Sequence, residues 1–168
     1  MRVLIILTSA GTTADGKAKT GFSFAAFAEV YYALADAGVE VALASPQGGA
    51  PPHEPTRGDD PPALIRFKRD REARSVLMDT LRLDQIEPDD FDAAIYPGGS
   101  GTMLDLPGDA HSKAILQALG RNGKPVGVIG DGVSALFSGP LVTSPDASGA
   151  AFVADHIRKL IAAADTAL

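Results

Sequence analysis

The stretch Pro125-Val126-Gly127-Val128-Ile129-Gly130-Asp131-Gly132-Val133-Ser134-Ala135-Leu136-Phe137 runs an apolar strand into a glycine-flanked aspartate and then into the spacing of a helix start. Enzymes built on parallel sheets often present a nucleophile on such a turn. No serine or cysteine stands at this one. What it offers is a single carboxylate, Asp131, suited to moving a proton. A second loop, Pro97-Gly98-Gly99-Ser100-Gly101, follows another apolar strand, and its glycines let the backbone approach a ligand closely.

Each candidate has a structural reading beside the chemical one. Asp131 is a general acid or base, or else the N-cap of the helix that Gly132-Val133-Ser134 opens, where the orphan amides and the helix dipole would hold its charge. Capping lowers its pKa and burial in an apolar pocket raises it, so the two roles conflict. Glu29 is a second carboxylate for the same site or an exposed residue of the first helix. Asp15 borders the rim of the site or serves only the Asp15-Gly16 turn. Ser100 hydrogen-bonds a ligand oxygen, but it has no visible histidine to activate it as a nucleophile. Thr8, Ser9, Gly98 and Gly130 lie at strand ends and complete the expected substrate-binding set.

Composition narrows the chemistry. The chain has 168 residues, enough for one ordinary core, and the expected organisation is a single domain over 1–168. It has no cysteine, which removes disulfides, thiolate metal sites and every cysteine-dependent mechanism. A net charge of −6 leaves no footprint for nucleic acid or an anionic membrane. Within the one basic run, 66–71, Asp70 interrupts the cations, which reads as a solvated face. His53, His111 and His156 lack the spacing of a metal site. The 97–101 loop lacks the Lys-Ser/Thr of a phosphate-binding loop and follows the wrong strand for a dinucleotide fingerprint, so neither metal nor cofactor is expected. The apolar run Val3–Leu7 is too short for a signal peptide, and no stretch has the length of a membrane span, so a cytoplasmic protein is expected.

The elements that must position these residues alternate. Val3–Leu7 reads as a buried strand. Phe24, Phe27, Ala28, Tyr31 and Leu34 fall at helical spacing in a helix from Phe22 that Gly38 closes, and Val39–Ala44 is a second buried strand. Ser45–Pro62, rich in proline and glycine, is a long surface excursion of the kind that is often functional. Ser75–Ile86 reads as a short helix, Phe91–Tyr96 as a strand, Ser112–Leu119 as a helix stopped by Gly120 and Gly123, Pro125–Ile129 as a strand, Leu141–Ser144 as a last strand and Ala150–Ala164 as a terminal helix. This order predicts a flavodoxin-like, doubly wound α/β sandwich of five parallel strands in the order 2-1-3-4-5. Any ligand would then lie beyond the carboxyl ends of the strands.

The segments KTGFSFAAFAEVYYAL, VEVALASPQGGAPPHEP, FDAAIYPGGSGTMLDLP, PVGVIGDGVSALF and LVTSPDASGAAFVADHIRKLI together resemble the DJ-1/PfpI superfamily, in its branch of heat-shock-protein-31-like glyoxalases and class I glutamine-amidotransferase-like proteins. That branch usually reads Cys-His-Gly at the elbow and Gly-Gly-His-Gly in the loop, with a supporting acid on the first helix. Here Gly130 and Asp131 hold the elbow positions, Ser100 holds the loop histidine position, and Ala26 holds the acid position. Relatives also carry a long insertion after the elbow helix, whereas Leu136 and Leu141 are nearly adjacent here, so the resemblance predicts a shortened and enlarged site.

Cysteine-dependent glyoxalase, deglycase, protease or amidotransferase activity is therefore not expected, nor is lactate from methylglyoxal. By position in the family, the Gly99 and Asp131 amides form an oxyanion hole, and losing side chains does not remove backbone donors. Two functions remain. One is a cofactor-independent acid–base enzyme (isomerase, dehydratase, cyclase or hydrolase) acting on a small or medium organic metabolite, with secondary metabolism as the expected setting. The other is a non-catalytic relative that binds a metabolite or a partner protein. The resemblance also implies a homodimer.

Overall fold

The structure, a computed structural model, describes residues 1–130 and 132–167. Six strands form one parallel sheet: β1 (Arg2–Ile6), β2 (Glu40–Ser45), β3 (Leu81–Arg82), β4 (Ala93–Tyr96), β5 (Val126–Ile129) and β6 (Leu141–Ser144). Their order is β3-β2-β1-β4-β5-β6. Six helices flank them: α1 (Phe24–Ala35), α2 (Pro62–Arg69), α3 (Arg71–Leu77), α4 (Thr102–Asp105), α5 (Ala110–Arg121) and α6 (Ala150–Thr166).

The unbroken apolar run of β1 follows from burial on both faces. Val3, Ile5 and Leu7 point into a core shared with Phe27, Val30 and Leu34 of α1, Phe67 of α2 and Val153 and Ile157 of α6. Leu4 and Ile6 point the other way, towards Ile115, Leu116 and Leu119 of α5. Strand periodicity alone assigns each residue to its layer.

The five expected strands are present in the expected order, and the sheet gains a sixth. The expected helix over Ser75–Ile86 is replaced by the end of α3, the edge strand β3 and a 3₁₀ turn over Leu83–Gln85. Thr80 explains the change. Its amide and carbonyl pair with Gly49, and its hydroxyl lies 2.8 Å from Ser45 Oγ, which draws the chain to the sheet edge against its helical spacing.

The basic run belongs to two helices. Leu64 and Phe67 of α2 are buried at i, i+3 spacing, and the Asp70 side chain caps α3 by accepting from the Ala73 amide at 3.0 Å. Gly120 lies within α5 rather than stopping it, because Ser138 O leaves no room for a Cβ there. After β5, Ser134–Leu136 make one 3₁₀ turn where an α-helix was expected, because the chain must reach Pro140, whose carbonyl accepts from Val126 N.

Candidate functional site

The ends of β1, β4 and β5 meet at one edge, where the excursion crosses them. Phe22 N donates to Pro52 O and Glu54 N to Phe22 O, both at 2.9 Å, which makes a short parallel ribbon in front of α1. The 97–101 loop is laced to the same segment, with Ser23 N donating to Gly98 O at 2.9 Å and Gly101 N to Gly21 O at 3.0 Å.

These bonds explain the loop's glycines more directly than ligand access does. A Cβ on Gly99 would stand 2.4 Å from Gly21 O and Ser23 N, and one on Gly101 would stand 2.6 Å from Ala10 O. Gly98, at φ +81, would bring a Cβ to 2.1 Å from Ile129 O, so the loop lies directly against the end of β5. Among the described residues the half-buried Gly99 N–H has no acceptor, whereas Ser100 N–H donates to Glu54 Oε2 at 2.7 Å.

The elbow differs from the loop. Gly130 has φ +71 and is held by its amide, which donates to Ser144 O at 2.8 Å. Among the described residues, a Cβ there would meet nothing nearer than Pro145 O at 3.9 Å. The turn keeps a conformation that L-residues adopt only under strain, with open space where a side chain would project. Asp131 lies outside the described residues.

Thr8 is buried and committed to the framework. Its hydroxyl lies 2.7 Å from Asp105 Oδ1 and 3.0 Å from Gly101 O, and it accepts from Ala10 N. Ser9 N donates to Asp105 Oδ2, and Ser9 Oγ accepts from Gln47 N. Thr8, Ser9 and Asp105 thus clamp the β1 end to α4 under the loop. Asp15 closes an exposed turn, where the Thr13 hydroxyl and then the Lys17 amide hold its carboxyl below the usual carboxylate range. Glu29 is not brought to the site: it lines a shallow groove between α1 and α6 with Tyr32, Asp36 and Ala151. Ala26 is fully buried.

Glu54 is the residue that sequence reasoning missed. It lines a polar cleft of about 620 Å³ with Ser23, Lys19, Arg57 and the exposed Ser100. The one available signal was its position in a long excursion flanked by Pro52 and Pro55. Among the described residues, no group of three or more metal-ligating side chains converges.

A parallel six-stranded sheet, a glycine loop after β4 and a positive-φ turn after β5 define the class as a flavodoxin-like α/β protein. The DJ-1/PfpI family model matches residues 18–165, and the chain belongs to that family. No curated protein matches it in sequence.

Among solved structures, the Rapid Encystment Protein 24 kDa of Francisella tularensis is 25% identical, with a TM-score of 0.74 over 80% of this chain; the match spans 60% of that protein's length. Glyoxalase III of Candida albicans is 24% identical, with a TM-score of 0.66 over 82% of this chain and 59% of its own. DJ-1beta of Drosophila melanogaster is 17% identical, with a TM-score of 0.65 over 95% of this chain and 89% of its own, a likeness of fold. No described helix is long and apolar enough to cross a membrane.

Proposed function

We propose that this protein performs cofactor-independent acid–base chemistry on a small organic metabolite at the junction of the 97–101 loop and the elbow. The observation that carries the reading is the Gly99 N–H, without an acceptor among the described residues, on a loop packed against the end of β5, next to an elbow where the described residues leave the side-chain space of Gly130 open. A fixed backbone donor in such a place stabilises developing negative charge without a nucleophile. Two carboxylates serve as proton carriers: Asp131 at the elbow, and Glu54, which the Ser100 amide holds at the loop.

The chemistry in the name of the Candida glyoxalase III does not transfer by way of a thiol, since this chain has no cysteine. The substrate is a carbonyl or hydroxy compound whose reaction passes through an enolate or alkoxide. The protein works as a homodimer, as is common in this family.

A second reading is a binding module without turnover. Its support is that Glu29 faces away from the cleft and that Glu54 already engages a loop amide. A thermal-shift screen of carbonyl and hydroxy acids, followed by product analysis of each hit, separates the two readings. We expect a hit that is converted by the native chain, with turnover reduced by about 10²-fold or more in Asp131→Asn. Full turnover in that variant would overturn the assignment of Asp131, and binding without product would establish the module.

A further inference from the structure

A second pocket, of about 530 Å³, lies across the Phe22–His53 ribbon from the polar cleft, between that ribbon and α2–α3. Its floor is aromatic. The Phe24 ring sits 5.3 Å from Phe22, 5.5 Å from Phe67 and 5.1 Å from His53, in tilted and edge-on arrangements.

Its rim is cationic. Arg71, Arg74, Ser75 and Met78 fall at i, i+3, i+4 and i+7, so one face of α3 and its C-cap supplies one wall, with the buried Leu77 at its base. Lys68 also lines the pocket and pairs with Asp60. Among the described residues, Arg71 and Arg74 have no ion-pair partner. In a chain of net charge −6, two unpaired arginines over an aromatic floor are a local reversal of sign.

We infer that this pocket binds an aromatic carboxylic acid, with its ring against Phe24 and His53, which the buried Phe22 and Phe67 rings support from beneath, and its carboxylate between Arg71 and Arg74. An apolar floor with a few polar groups at one end orients a ligand that is apolar at one end and anionic at the other. Arginine suits the carboxylate because its planar fork meets both oxygens. The volume accommodates a ring with a short acid chain. The site is separate from the loop and elbow and does not depend on the function proposed for them.

The test is calorimetric titration of the full chain with 3-phenylpropanoate, with 3-phenylpropanamide, propanoate and inorganic phosphate as comparators. We expect 3-phenylpropanoate to bind, the amide and propanoate each to bind at least about tenfold more weakly, and affinity to fall with salt because the rim is exposed. Arg71→Gln with Arg74→Gln should weaken binding at least tenfold without changing the melting temperature, since both side chains are exposed. Glu54→Gln should leave the affinity unchanged.

No binding of 3-phenylpropanoate at millimolar concentration overturns the assignment, as does equal binding of the amide or insensitivity to the arginine pair. Phosphate binding as tightly as 3-phenylpropanoate overturns the aromatic half. Loss of binding in Glu54→Gln would put the ligand in the polar cleft instead.

Discussion

The two glycine turns at the ends of β4 and β5 look alike in sequence and do opposite things. In the 97–101 loop the missing side chains are replaced by backbone: Gly98 faces Ile129 O, Gly99 faces Gly21 and Ser23, and Gly101 faces Ala10 O, each too close for a Cβ. At the elbow, Gly130 also has a positive φ, and among the described residues a Cβ there would touch only Pro145 O at 3.9 Å. One glycine turn is a packing joint and the other an opening. A glycine-rich motif does not reveal which it is, because the difference lies in what the rest of the chain places against it.

Three substitutions test that contrast. Gly98→Ala should have the largest effect, about 3 kcal/mol or more in urea unfolding, since it combines a positive φ with a Cβ 2.1 Å from a backbone oxygen. Gly130→Ala should cost only about 1–2 kcal/mol, the conformational term alone, because the side chain enters open space. Equal losses for the two would erase the distinction between joint and opening.

The smallest effect should come from Glu54→Gln, below about 1 kcal/mol, because the Ser100 amide bond is solvent-exposed and the amide side chain can still accept it. Faster hydrogen exchange at Ser100 N–H, with Gly101 N–H unchanged, would show that Glu54 holds the tip of the loop and not its base.

Much of the fold was legible in the sequence. The run Val3–Leu7 and the spacing of Phe24, Phe27, Tyr31 and Leu34 specify a strand buried on both faces and a helix with one apolar side, and alternation of such units leads to a parallel sheet. The misreadings occurred where tertiary hydrogen bonds overrode local pattern. Thr80 pulls a helix-spaced segment into the sheet edge, and Pro140 leaves room after β5 for a single 3₁₀ turn only.

The site was less legible than the fold. The sequence singles out Gly98, Gly99, Ser100 and Gly130 because glycine and turn chemistry are local signals. It singles out Thr8 and Ser9 as strand-end residues, but their role as a clamp depends on Asp105. Glu29 was chosen for its place one helical turn after Ala26, and the rotation of α1 against α6 carries it to a different face.

By itself, the sequence determined the layers, the order of the five main strands and the absence of thiol chemistry, since periodicity and residue type act locally and need no partner. Only the tertiary structure decided that the 97–101 loop is filled by backbone while Gly130 is open. It also decided that Glu54 meets Ser100 across 46 residues and that Arg71 and Arg74 stand over an aromatic floor. Those pairings depend on how the excursion and α3 pack on the finished sheet, and no run of neighbouring residues encodes that distance.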